Sequence, residues 1–184
     1  KTDPEIRNYV PSAMNSRLET DKIENEFGVQ DMIVILFSDS CILNPESLKQ
    51  IKQIDHDISR LDGIASRISP FTMKSIKGEE GTMVAERLIK KMPADASDIR
   101  ILAENIMNNR FARDIVVSSD TTSASITGTI NINKSESQTL NRIDSIVNAH
   151  PGKSEILIGG LPYIRRYIMK DIRKDGLLLI PLAL

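Results

Sequence analysis

The chain has 184 residues and a formal net charge of -1, with 24 Lys and Arg against 25 Asp and Glu. Hydrophobic residues at 40% and charged residues at 27% fit one folded domain and exclude a disordered segment. With no basic excess, only 4% aromatics and no Trp, the chain has neither the charge nor the rings for nucleic-acid binding.

In chain order, Met32 to Phe37 is an unbroken apolar run of strand length, rich in β-branched residues, and predicts a central strand buried on both faces. Asn44-Pro45-Glu46 then marks a helix start: Asn as cap, Pro in the first turn, Glu at the positive end. Leu48, Ile51, Ile54, Ile58 and Leu61 recur at spacings of three and four as one apolar stripe, and Gly63 suits a left-handed C′ position. Ile64 to Ile68 predicts a second strand, so that 32–68 reads as a βαβ unit.

Residues 70–121 read as an insertion, with a helix around Thr82–Lys91 stopped by Pro93 and another around Asp98–Asn108. The second carries Ile99, Leu102, Ala103 and Ile106 on one side, and Ile115-Val116-Val117 predicts a short strand after it. A second βαβ unit spans 122–158. It consists of a strictly alternating strand from Ser123 to Asn133, a helix opened by a Ser135–Gln138 capping box, and a closing strand at Ile156 to Ile158. The buried side of that helix is Leu140, Ile143, Ile146 and Val147, and His150-Pro151-Gly152 stops it. Two such units predict an α+β fold, a ferredoxin-like split βαβ sandwich with a helical insertion between the halves, as a single domain over 1–184.

From Gly160 and Pro162 a last helix carries Ile164, Ile168 and Ile172 on one face and Arg165, Arg166, Lys170, Arg173 and Lys174 on the other. It runs into Leu177–Leu184, eight residues without a polar side chain, which as a helix reach roughly 12 Å against a bilayer core of about 30 Å. A basic amphipathic helix feeding an apolar run suits an approach to a membrane surface. We therefore expect 161–184 to lead into a truncated transmembrane helix.

The residue clusters with chemical potential are few. Asp55-His56-Asp57 has metal-type ligands, but neighbours one and two apart on a helix face different ways, so a solvated surface is expected. Ser38-Asp39-Ser40-Cys41 follows a strand but lacks the flanking glycines of a nucleophile elbow. Cys41, the single cysteine, excludes an internal disulfide and a multi-cysteine zinc site. Gly159-Gly160 lacks the remaining residues of a phosphate loop and reads as tight backbone geometry. His150 is expected at a helix end, and Asn133-Lys134-Ser135 fits a glycosylation sequon without further support. No catalytic, cofactor or metal residue is expected.

The order of segments resembles a known family. Glu26-Phe27-Gly28-Val29-Gln30-Asp31 before the apolar strand is similar to the opening of the first large extracytoplasmic loop in RND-superfamily exporters of the MMPL type. Pro45-Glu46-Ser47-Leu48, the passage Leu61 to Ser69, Asp114 to Asp120, and Ile158-Gly159-Gly160-Leu161-Pro162 followed by Asp171 and Leu177 resemble further pieces in the same order. Gly128, Ile64 and Ala65 depart from the pattern. The resemblance implies a periplasmic porter domain of an inner-membrane efflux protein, not an enzyme, forming part of the path of a lipid or other hydrophobic substrate. Its implied partners are the transmembrane helices and second porter domain of the same transporter, in a full-length protein able to form oligomers. The proton-carrying acids of that family lie in membrane helices outside this chain. Two other readings fit the residues: a free-standing ferredoxin-like regulatory module that binds a small ligand, and a hydrolase using Ser38, Ser40 or Cys41.

Overall fold

The computed structural model describes residues 10–11, 13–27, 31–79 and 82–179, except the side chains of 25, 27, 76–79, 82–83 and 176–179. Within them the apolar run becomes β1 (Met32–Ser38), the centre of an antiparallel sheet with β2 (Ile64–Ile68), β5 (Ser123–Ile130) and β6 (Glu155–Gly160). The sheet order is β2-β5-β1-β6. Because β1 and β2 both run against β5, they run parallel to each other with β5 between them; β5 and β6 straddle β1 in the same way. The fold is thus mixed α+β, with a four-stranded antiparallel sheet and five helices among the described residues.

Alternation sorts each strand into two faces. Ile33, Ile35 and Phe37 of β1 are fully buried, as is Ile126 of β5. They join one apolar cluster with α2 (Pro45–Ile58) and α4 (Glu136–Ala149), through Leu48, Ile51, Ile54 and Ile58 on α2 and Leu140 and Ile143 on α4. The four α2 side chains are 0% exposed, and their burial contributes roughly 6–12 kcal/mol before the entropy of ordering the chain offsets most of it. Gly128 also lies on the buried face, where a Cβ would make only ordinary van der Waals contacts, at 3.4 Å from Ile33 Cγ1 and 3.5 Å from Ile64 Cδ1. So β1 is buried on one face only, and the expected two-sided burial does not occur.

The two helices packed on the sheet, α2 and α4, begin as their sequences predict. The Asn44 side chain accepts from Ser47 N at the head of α2, and Ser135 accepts from Gln138 N at the head of α4. Other expectations need correction. α2 ends at Ile58 with Ser59 as its cap, so Leu61 and Gly63 lie beyond it. Gly63 is a close-packing glycine, because a Cβ there would lie 2.7 Å from Thr139 Cγ2. The alternating strand stops at Ile130. Asn131 leaves the ladder by donating its amide to Gly63 O, and its side chain accepts from Asn133 N.

The insertion differs most. Thr82–Lys91 is not a helix: β3 (Lys74–Glu79) and β4 (Thr82–Arg87) form a separate antiparallel pair. Cross-strand pairing outweighs the weak helical periodicity that suggested otherwise. α3 (Ala96–Met107) matches the second expected helix, capped by Asp95, with Leu102 and Ile106 buried. Ile115–Val117 makes only isolated bridges, Arg113 to Val117 and Val117 to Ala124, within a tight loop where Asp114 has φ 62°. A further helix, α1 (Asn15–Phe27), was not anticipated, and it leaves Leu18 and Ile23 exposed.

Candidate functional site

The site with the most structure behind it is the root of α5 (Leu161–Leu179), which follows β6 with no intervening loop. Gly160 makes that turn possible. Its φ is +117°, and a Cβ would clash with the Met32 carbonyl oxygen and lie 2.9 Å from Ile33 Cα.

Three polar groups within its first two turns, on Tyr163, Arg165 and Arg166, then fasten the helix. Arg165, 7% exposed, bridges Asp31 at the entry to β1 and Glu136 in the first turn of α4, with Nη1 3.3 Å from Asp31 Oδ1. Burial works against its charge, but the contacts with Asp31 and Glu136 outweigh it and raise the guanidinium pKa above its ordinary value. Tyr163, 2% exposed, donates its hydroxyl to Asp144 Oδ1 at 2.8 Å, and Arg166 donates to Asp144 Oδ2 at 2.7 Å while lying 4.5 Å over the Tyr163 ring. Burial, and then the bond to Asp144, raise the Tyr163 phenol.

Arg165 is buried and Arg166 half-buried, whereas Lys170, Arg173 and Lys174 are exposed; with Met169 and with Ser137 and Leu140 of α4, all of them but Lys174 line a groove of about 460 Å³. On the apolar stripe Ile164 is 48% exposed and Ile168 and Ile172 are half-buried, and Leu161 at the start of the helix is exposed. Both faces of the helix are thus mixed: the basic side is buried at its root and exposed beyond it, and the isoleucine side is exposed at Ile164 and half-buried after it.

A second surface completes the picture. The sheet face turned away from α2 and α4 carries Met32, Val34 and Leu36 of β1, Leu157 of β6 and Ile68 of β2, alongside Ser125, Thr127 and Thr129 of β5. Met32, Val34, Ile68 and Leu157 are exposed. Met32, Val34 and Leu157, on the neighbouring strands β1 and β6, make an exposed apolar patch of the kind that marks contact with another surface, while Ile68 lies across the polar residues of β5 from it.

The clusters singled out in the sequence take structural roles. Asp55 is buried and accepts from Arg67 Nε at 3.0 Å, whereas His56 is exposed and Asp57 Oδ2 lies 2.7 Å from His150 Nε2. The His150 contact lowers the Asp57 carboxyl pKa, and His150 itself caps α4. Asp39 accepts from Ser47 Oγ, Asn44 Nδ2 and Ser40 N, which pins the turn from β1 into α2. The Ser47 hydroxyl contributes most to holding its carboxyl at about 2 instead of 3.8. Cys41 is half-buried and free. No group of three or more metal-type ligands occurs among the described residues. Arg165 and Tyr163 were missed as organising residues, although an arginine beside a strand-to-helix glycine was the available signal.

No helix among the described residues is long and apolar enough to cross a membrane. The 180–184 part of the expected transmembrane start lies outside the described residues, as do Gly28, Val29 and Gln30 of the opening motif. Comparison with models of known protein families and with curated proteins finds no match.

Proposed function

We propose that this chain is the extracytoplasmic porter domain of an RND-type exporter of the MMPL kind, which forms part of the path for a lipid or other hydrophobic substrate and performs no catalysis itself. We read the sheet order, with each βαβ unit straddling a strand of the other, as the split, ferredoxin-like sandwich such a domain requires. The observation that carries the reading is the rooting of α5. A helix whose apolar stripe is exposed at Ile164 and half-buried at Ile168 and Ile172, heading into a leucine-rich run, is fastened to the entry of β1 and to α4 by partly buried ion pairs. A stiff joint of that kind turns a tilt of a membrane helix into a tilt of the whole sandwich. The apolar outer sheet face gives the sandwich a surface on which to meet its counterpart porter domain or the substrate route.

Fractionation of cells making the natural full-length product tests this. We expect the protein in the membrane pellet after alkaline carbonate washing, with this domain cleaved by protease added from the extracytoplasmic side. Release of the protein by carbonate, or protection of the domain from that protease, refutes the reading.

A further inference from the structure

A cavity of about 490 Å³ opens between α2, the end of β2 and the segment that follows β4. Its wall gathers Lys52, Arg67, Lys74, Arg87, Lys90 and Lys91, a quarter of all Lys and Arg in the chain, around one carboxylate, Asp55. In a chain of net charge -1 this is a local excess of one sign. Internal pairing does not cancel it. Asp55 is occupied by Arg67 and Glu86 pairs with Lys90, while Lys52, Lys74, Arg87 and Lys91 meet no carboxylate among the described residues.

The geometry of Arg67 suggests what would fill the space. Asp55 is buried and holds the guanidinium through Nε, at 3.0 Å, which fixes its plane and leaves both terminal amines to donate elsewhere. That fork matches two oxygens of a phosphate, and the lysines around it add point charges for a second phosphate or for the remaining oxygens. Phe71, Ile89 and Met92 form an apolar part of the wall, suited to the carbon skeleton of an organic anion.

We propose that this cavity binds a small phosphate-bearing anion, with the phosphate on Arg67 and its neighbouring lysines and the organic part against Phe71 and Met92. The inference stands apart from the exporter reading, since it uses none of the residues around α5. The shared chemistry has two sources, a soluble phosphorylated compound and a phospholipid headgroup, so two probes are needed. The 184-residue chain is titrated calorimetrically at low ionic strength with pyrophosphate, and in parallel with phosphatidylcholine vesicles carrying phosphatidylglycerol.

We expect saturable binding of at least one probe. Lys52→Gln/Lys91→Gln, which alters two exposed side chains and leaves the core untouched, should weaken it at least about ten-fold, from the loss of two contacts of unit charge. Lys49→Gln/Arg110→Gln, which removes the same charge outside the cavity, should change it less than about two-fold. Pyrophosphate binding with this pattern assigns the soluble source, and vesicle binding with this pattern assigns the headgroup. Absence of saturation with both probes, or equal weakening by the two double variants, overturns the proposal.

Discussion

Replacing Arg165 with methionine keeps much of the aliphatic stem and deletes the guanidinium that joins α5, α4 and the entry to β1. The side chain is 9% exposed, against 18% for Asp31 and 35% for Glu136. Removing one partner of a fully buried pair costs about 3–5 kcal/mol, because the charge left behind has no solvent. Here Glu136 is open enough to recover water, so Asp31 carries most of the penalty, and the expected loss is about 2–3 kcal/mol. Urea denaturation at neutral pH measures it directly. A cycle with Asp31→Asn should return a coupling of about 1–2 kcal/mol that survives 0.5 M salt, since partly buried pairs are little screened. Replacing Arg165, Asp31 and Glu136 together by apolar residues should come out close to neutral, since no orphaned charge remains. A loss below about 0.5 kcal/mol for Arg165→Met alone, or a coupling that vanishes in salt, would refute the idea that this arginine roots the helix.

Three further outcomes are expected. Gly160→Ala forces a side chain into positive φ against the β1 backbone and should cost about 3 kcal/mol by the same urea measurement, whereas Gly159→Ala, with open space at its Cβ, should cost under about 1 kcal/mol. Tyr163→Phe removes the hydroxyl from Asp144, which retains Arg166, and should cost about 1 kcal/mol. The depressed carboxyl of Asp39 contributes stability that is complete above about pH 4 and is lost as the pH falls through about 2. Stability curves for the original chain and Asp39→Asn, separated near pH 5, should therefore converge towards pH 2, and parallel curves would count against the network at the head of α2.

Legibility followed the strength of the periodic signal. α2, α3 and α4 each combine a capping side chain with an apolar stripe, and all three were readable to within a few residues, because caps and stripes are local. β1 and β5 were readable as strands for the same reason. The β3–β4 pair was not. Its sequence holds Lys, Glu and Gly where an apolar alternation would be needed, and it is paired through backbone contacts that no single segment reveals. α1 has too few apolar positions to stand out against its charges. The root of α5 was hidden by the opposite problem. Its isoleucine stripe is a strong local signal for burial, yet the partners that decide the matter, Asp31, Glu136 and Asp144, are 134, 29 and 22 residues away from the arginines they hold. The sheet order likewise depends on pairings between distant segments, which no local pattern fixes.

The choice of ion pairs over oily contacts at that joint has a consequence for where the molecule can work. An interface held by apolar side chains loses its driving force beside acyl chains, which dissolve leucine as well as leucine does. The contacts of Arg165 behave in the reverse sense, because attraction between opposite charges grows as the surrounding dielectric constant falls. Detergent or lipid that would loosen a greasy hinge should leave this one tighter than it is in water.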